Sequence, residues 1–267
     1  MRRSPTLALR RTRQTLTGFR NGWSVLAASA PGPFGGPVLR YDLPSGLVVR
    51  CPNVAGARVP VYEVFVEDAY RVGDLVDGLS ADATVLDIGA HIGCFSLAVA
   101  RALPGARVHA YEASPATAAW LRRNIDDNGL QGRVTAHHCA VAARTGSLRF
   151  ADNAGGSSLN GLTAPAGTAL VDVPSVTLRQ ALTTAGGPVD LVKIDTEGAE
   201  YAMVLAGSPA DWASVHRVVI EYHDVAGHDW AQLHAFFAEA GLVEIRREPV
   251  SPRQGTAWLT RHPADRR

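Results

Sequence analysis

From Ala83 onward the sequence alternates apolar runs with amphipathic stretches, and this alternation restricts the fold more than any other feature. TVLDIGA (84–90), RVHAYEA (107–113), VTAHHCAVA (134–142), VDLVKID (189–195) and HRVVIEYH (216–223) read as strands. The stretches 95–102, 115–129, 176–185, 199–205 and 230–241 read as the helices between them. Strand, helix, strand in repetition implies an α/β fold with a parallel, doubly wound sheet. VDLVKID and HRVVIEYH are nearly continuous apolar runs, as expected of strands covered on both faces. VEIRREP (243–249) and GTAWLTR (255–261) lie close in sequence and are expected to pair antiparallel at one edge. SLRF (147–150) reads as a hairpin arm, followed by a long aperiodic loop over 151–167.

The N-terminal part reads differently. LVVRCP (47–52) and VPVYEVFV (59–66) suggest short strands, with a helix near Ala69–Leu79. Arg2, Arg3, Arg10, Arg11, Arg13 and Arg20 precede the first acid, Asp42. This start reads as a solvated tail, or else as an arm for an anionic partner, that ends at the Pro/Gly linker APGPFGGP (30–37). Residues 1–60 are thus expected to form an arm with short strands, and 61–267 the main domain.

Twenty-six Lys and Arg against 25 Asp and Glu leave a net charge of +1, which argues against a protein whose main work is to grip nucleic acid. With 46% hydrophobic residues the chain is not an acidic disordered one. Cys51, Cys94 and Cys139 are too few and too scattered for a disulfide framework or a metal knuckle, so reduced thiols in a cytoplasmic protein are expected. SVLAASAPG (24–32) has small residues like a cleavage site, but its apolar run is too short for an export signal. No run reaches the 18 to 20 apolar residues of a membrane span, and no membrane partner is expected.

In open α/β sheets, ligands bind beyond the carboxyl ends of the strands. The first such end is VLDIGAHIG (85–93), where glycines let the backbone approach a ligand and free amides at a helix start favour a negative group. His91 occupies the central position of what would otherwise be a GxGxxG turn. Glu112 ends the next strand, 23 positions after Gly89. A carboxylate so placed can accept both ribose hydroxyls of a nucleoside. An acid that merely caps the helix starting at Pro115 is the plainer explanation.

VLDIGAHIG, YEASP around Glu112, CAVA (139–142), GGSSL (155–159) and above all KIDTEGAE (193–200) together resemble the FkbM family of S-adenosylmethionine-dependent methyltransferases, over roughly residues 62–224. The resemblance implies a Rossmann-like class I methyltransferase fold, a mostly parallel seven-stranded sheet with an antiparallel edge strand. It implies S-adenosylmethionine as cofactor. Asp87, Gly89, Ala90, His91 and Gly93 would hold its methionine end, Glu112 and Ala113 the ribose, and Cys139 and Ala140 the adenine. His91 replaces the Asn common in the family. Asp195 would face the methyl donor or the acceptor. Tyr70 would close over the methionine carboxylate, or simply pack against the core.

Methyl transfer to a hydroxyl needs alignment and a general base. Asp195 ends one strand, and Glu221 and His223, two apart near the end of the next, share a face. Histidine titrates nearest neutrality, so His223 is the expected base, oriented by Glu221 or Asp195. Glu197 and Glu200, three apart, are expected on one side of a helix and beside the acceptor, unless they only cap that helix. A divalent cation on Asp195, Glu221 and His223 is a secondary, less favoured route to an activated hydroxyl. Ser157 and Ser158 in the long loop are expected to touch the acceptor.

The expected function is O-methylation of a small or medium acceptor such as a sugar or polyketide intermediate. A non-catalytic S-adenosylmethionine-binding module is the alternative. Base methylation in nucleic acid fits poorly, because KIDTEGAE lacks the prolines of those enzymes. A homodimer is left open, and an acidic pocket suits a neutral or cationic acceptor.

Overall fold

Thr84–Ile88 is buried at all five positions, and a strand buried on both faces must lie inside a sheet covered by helices. The computed structural model describes residues 5–30, 35–54, 56–152 and 170–261. Its first elements are α1 (Pro5–Gly18), α2 (Gly22–Ser29), β1 (Val38–Asp42), β2 (Val48–Pro52), α3 (Val59–Phe65) and α4 (Val72–Val76). Next come β3 (Thr84–Ile88), α5 (Cys94–Ala102), β4 (Arg107–Glu112), α6 (Pro115–Asp127), β5 (Val134–His138), β6 (Ala140–Ala142), β7 (Gly146–Ala151) and β8 (Leu170–Thr177). Then follow α7 (Leu178–Thr184), β9 (Val189–Ile194), α8 (Glu200–Leu205), β10 (Val215–Tyr222), α9 (Trp230–Glu239), β11 (Leu242–Ser251) and β12 (Gln254–Arg261).

The main sheet has seven strands in the order β11-β12-β10-β9-β3-β4-β5. The five strands from β10 to β5 pair in parallel, and β12 runs antiparallel to β10 and β11, so the expected antiparallel pair closes one edge. Chain order reverses between β3 and β9, and a crevice opens there at the carboxyl ends. Alternate residues feed two cores. Val85, Val108, Leu191 and Val219 meet Phe95, Leu97 and Leu121 on one face. Leu86, Val192, Val218 and Ile220 meet Leu178, Tyr201, Leu233 and Phe237 on the other. A separate three-stranded sheet has the order β6-β8-β7.

Two N-terminal expectations are corrected. VPVYEVFV forms α3, not a strand: Val61, Tyr62 and Val64 are buried and Pro60 sits in the first turn, where its missing N–H costs nothing. Its valines favour a strand by propensity, but burial against the core decides. From Pro5 the arginine-rich start, with Arg10, Arg11 and Arg13, forms α1 rather than a solvated tail, and Arg2 and Arg3 lie outside the described residues. Thr15 Oγ1 and Tyr62 Oη lie 2.7 Å apart, and Arg11 covers the Tyr62 ring at 4.2 Å. Arg10, Arg11 and Gln14 converge on Glu67 Oε1. Phe19, 3% exposed, contributes about 1.5–3 kcal/mol by burial.

The extension is also pinned to the main sheet. Asn124 on α6 and Asn128 at its C-cap each bond both the N–H and the C=O of a β2 residue, Arg50 and Val48 respectively. Asn124 Nδ2 further donates to Ile92 O at 2.9 Å, linking the extension to the turn after β3. The expected helix at Ala69–Leu79 is shorter, Val72–Val76. No described helix is long and apolar enough to cross a membrane, and all three cysteines are free thiols.

Candidate active site

The turn after β3 is packed backbone against backbone. Gly89 has φ +76°, and a Cβ there would lie 1.7 Å from the carbonyl oxygen of Asp195. Only glycine allows this approach. Asp195 N donates to Ile88 O at 3.0 Å, and Lys193 Nζ donates to Gly89 O at 2.7 Å. His91 also adopts a left-handed φ of +52°, which costs a non-glycine residue about 1–2 kcal/mol. Its backbone N–H donates to Glu112 Oε2 at 2.9 Å, an anchor that offsets the strain.

Glu112 is 8% exposed at the end of β4. Its second oxygen accepts the Ser114 N–H at 2.8 Å, so each oxygen takes one amide and keeps lone pairs free toward the crevice. Burial, only partly countered by these amides, pushes its pKa up to about 7.

The crevice is a cavity of about 350 Å³. Gly89, Ala90, His91, Glu112, Ala113, Cys139 and Ala140 line one part. Tyr70, Asp195, Glu197, Glu221 and His223 line another. Register explains the second group: Ile194 pairs with Ile220, so Asp195 and Glu221 leave neighbouring strands side by side. Tyr70 Oη donates to Asp195 Oδ2 at 2.8 Å and approaches Glu221 Oε2 at 3.3 Å. Burial and then the charges of Asp195 and Glu221 hold that phenol well above its ordinary value, so it stays a donor. Its ring packs edge-on against Phe95 at 5.6 Å.

His223 is ringed by acids. Its backbone N–H and Nδ1 both meet Glu200 Oε1, at 2.7 and 3.2 Å, while Nε2 lies 3.4 Å from Glu197 Oε2 and 3.7 Å from Glu221 Oε1. Burial alone would lower its pKa, but the hydrogen bond and charge of Glu200, then Asp195 and Glu221, push it up to about 9. Burial, and next the Asp195 charge, push Glu197 and Glu221 up to about 7. Asp195 is held below its ordinary value, because Lys193 and then His223 outweigh its burial. Asp195, Glu197 and His223 each offer one ligand-capable atom, all within 4.8 Å of one another, the spacing a divalent cation would need. Glu197 thus stands in this set where the sequence suggested Glu221.

Several expected residues support the wall instead of lining it. Asp87, fully buried, accepts from Ser96 Oγ at 2.6 Å and lies 3.4 Å from Lys193 Nζ. A Cβ on Gly93 would lie 2.6 Å from Leu121 Cδ1, so this glycine serves packing. Glu200, also fully buried, lies behind His223. Ser157 and Ser158 lie outside the described residues. Two charged lining residues escaped the sequence analysis. Lys193 was hidden in an apolar strand, although one cation in such a run is itself a signal. Glu63, which burial and then Asp195 push up to about 7, was assigned to a strand that is a helix.

The chain is 28% identical over 223 residues to 31-O-demethyl-FK506 methyltransferase FkbM of Streptomyces tacrolimicus, covering 69% of this chain and 82% of that one. It is 29% identical over 217 residues to methyltransferase sdnD of Sordaria araneosa, covering 70% and 82%. A crystal structure of methyltransferase FkbM from Methylobacillus flagellatus KT aligns with a TM-score of 0.48 and 16% identity, over 68% of this chain and 45% of that one. The Methyltransferase FkbM domain signature matches residues 87–243, more than half of the 267 residues, and the chain therefore belongs to the FkbM methyltransferase family.

Proposed function

We propose that the protein is an S-adenosylmethionine-dependent O-methyltransferase acting on a hydroxyl of a small or medium acceptor. The observation that carries this reading is that the buried carboxylate of Glu112 and the imidazole of His223 face one cavity. Bound S-adenosylmethionine supplies a methyl group on a sulfonium, open to in-line attack by an oxygen.

Glu112 accepts the two ribose hydroxyls with its unused lone pairs. The Gly89–His91 backbone would hold the methionine end, and Cys139, Ala140 and the apolar side chains of Leu148 and Phe150, which line the same cavity, would flank the adenine. Asp87 acts at one remove, through Lys193 and the Gly89 carbonyl. His223 takes the acceptor's proton, and its neutral form accumulates as pH rises toward 9. Asp195, Glu197 and Glu221 make the acceptor end acidic, which suits a neutral or cationic acceptor over a phosphorylated one. The Streptomyces tacrolimicus relative, named for a 31-O-demethyl substrate, supports oxygen as the methylated atom.

A screen of hydroxyl-bearing acceptors for released S-adenosylhomocysteine tests the reading. Acceptor-dependent release that His223→Ala abolishes supports it. Binding without product from any acceptor would favour a non-catalytic module, and loss of activity in EDTA would favour a cation on Asp195, Glu197 and His223.

A further inference from the structure

The two ring nitrogens of His223 have different surroundings. Nε2 faces the cavity beside Glu197 and Glu221. Nδ1 points away from it, to Glu200 Oε1 at 3.2 Å, and the same oxygen accepts the His223 backbone N–H at 2.7 Å. The other oxygen of Glu200 accepts Gly198 N–H at 2.9 Å and Thr196 Oγ1 at 3.2 Å. The other partners of this fully buried carboxylate, Thr196 Oγ1, Gly198 N–H and His223 N–H, all donate to it. An ionised carboxylate can only accept, so the contact with Nδ1 requires the ring hydrogen to sit there. A neutral ring then presents its lone pair at Nε2, toward the cavity.

We infer that Glu200 is the positioning residue of the base: it fixes the hydrogen on Nδ1, so that Nε2 is the nitrogen that takes the acceptor's proton. The inference rests on the O-methyl-transfer reading. Asp195 and Glu221, the orienting groups expected from sequence, have other contacts: both meet the Tyr70 hydroxyl. Asp195 from the end of β9, Glu197 from the loop before α8, Glu200 from α8 and Glu221 from β10 are the charged groups around the ring. Of these, Glu200 alone meets Nδ1.

The step balances. The acceptor O–H bond breaks and its proton bonds to Nε2, while the O–CH₃ bond forms as the S–CH₃ bond of the sulfonium breaks. The positive charge leaves sulfur as the acceptor's proton brings one to the imidazolium, whose Nδ1–H remains on Glu200. A buried carboxylate that holds a histidine tautomer in this way contributes on the order of 10⁴-fold in a serine protease triad.

Glu200→Gln keeps the side chain's size. Because all of its partners are donors, its amide NH₂ must oppose either Gly198 N–H or His223 N–H. Glu200→Asp keeps the charge but shortens the reach. The test is the pH profile of kcat for both variants, together with ¹⁵N histidine spectra of the full chain, thermal melts and S-adenosylmethionine affinity. For a Gln variant that folds and binds cofactor within about threefold of wild type, we expect kcat to fall on the order of 100-fold, within the range attributed to general bases. We also expect its acidic limb to move to lower pH and the neutral ring to lose its Nδ1–H preference, with the Asp variant recovering part of each.

An unchanged limb and tautomer would overturn the inference even if kcat falls, because a purely structural Glu200 would move neither. If Glu200→Gln fails to fold, the same two readouts on Glu200→Asp decide, and wild-type values there overturn the inference. Full turnover in His223→Gln would instead remove the base reading beneath it. The two failures are therefore distinguishable.

Discussion

Replacing Lys193 by Met probes the electrostatic centre of the site. The ammonium is 3.4 Å from Asp87 and 3.5 Å from Asp195, donates to Gly89 O at 2.7 Å, and belongs to a residue 3% exposed. Burial alone would lower its pKa, but Asp87 and Asp195 raise it, so the charge is retained. Met preserves most of the length and apolar stem while removing the cation. Breaking a buried pair by deleting one partner costs about 3–5 kcal/mol. The lost donor to Gly89 belongs to the same event, so we expect a total of about 4 kcal/mol within that range. At about 2–4 °C per kcal/mol for a chain of this size, Tm falls by roughly 8–16 °C.

The pH dependence has a definite sign. Without Lys193, Asp195 loses the largest of the charges that hold its folded pKa down against burial, so that pKa rises. A group shifted in that direction contributes stability at low pH and loses it as pH rises through the folded value. The deficit of Lys193→Met should therefore shrink between pH 8 and pH 5. Calorimetric melts of both proteins at the two pH values measure it. An unchanged Tm at pH 8, or a deficit as large at pH 5, would refute the assignment of Lys193 as counter-ion to this pair.

Gly89→Ala should lower Tm by roughly 5 °C or more and abolish cofactor binding, because left-handed strain and overpacking each cost about 1–3 kcal/mol and the added Cβ would meet the Asp195 carbonyl at 1.7 Å; a variant that melts and binds as wild type contradicts the turn geometry. Tyr70→Phe keeps the contact with Phe95 but removes the donor shared by Asp195 and Glu221, and should destabilise by about 1–3 kcal/mol in denaturant titration; no change would mean that the hydroxyl is not used. The ligand-free protein should lose thermal stability from pH 5 to pH 9. Glu63, Glu112, Glu197 and Glu221 are raised from 4.5 to about 7 and His223 from 6.5 to about 9, so the stability they contribute at low pH is lost as each folded value is passed. A Tm that rises over this range would contradict the electrostatics of the site.

The strands and helices of the main sheet were legible because period and apolar content agree along β3, β4, β9 and β10. Polar residues at their carboxyl ends then marked Glu112, Asp195, Glu221 and His223. The failures have physical causes. In α3, Val59, Val61 and Val64 favour extended chain locally, and only the core beneath Tyr62 and Val64 settles the helix, so Glu63 was lost with it. The i, i+3 rule placed Glu197 beside Glu200, but Glu197 precedes α8 with φ +53°, and the two carboxylates reach opposite nitrogens of His223. Asp87 and Gly93 belong to the expected motif, yet they hold the turn from behind.

Titration calorimetry of S-adenosylmethionine on the wild type and Glu112→Gln tests whether this cavity holds the cofactor through Glu112. Hydrogen bonds to a charged group are worth about 1.5–3 kcal/mol, so removing the charge should weaken binding roughly 10- to 100-fold. We expect one cofactor per wild-type chain and this loss in a variant that remains folded. A wild-type protein that does not bind S-adenosylmethionine, or a Gln variant that binds it equally tightly, would contradict this expectation.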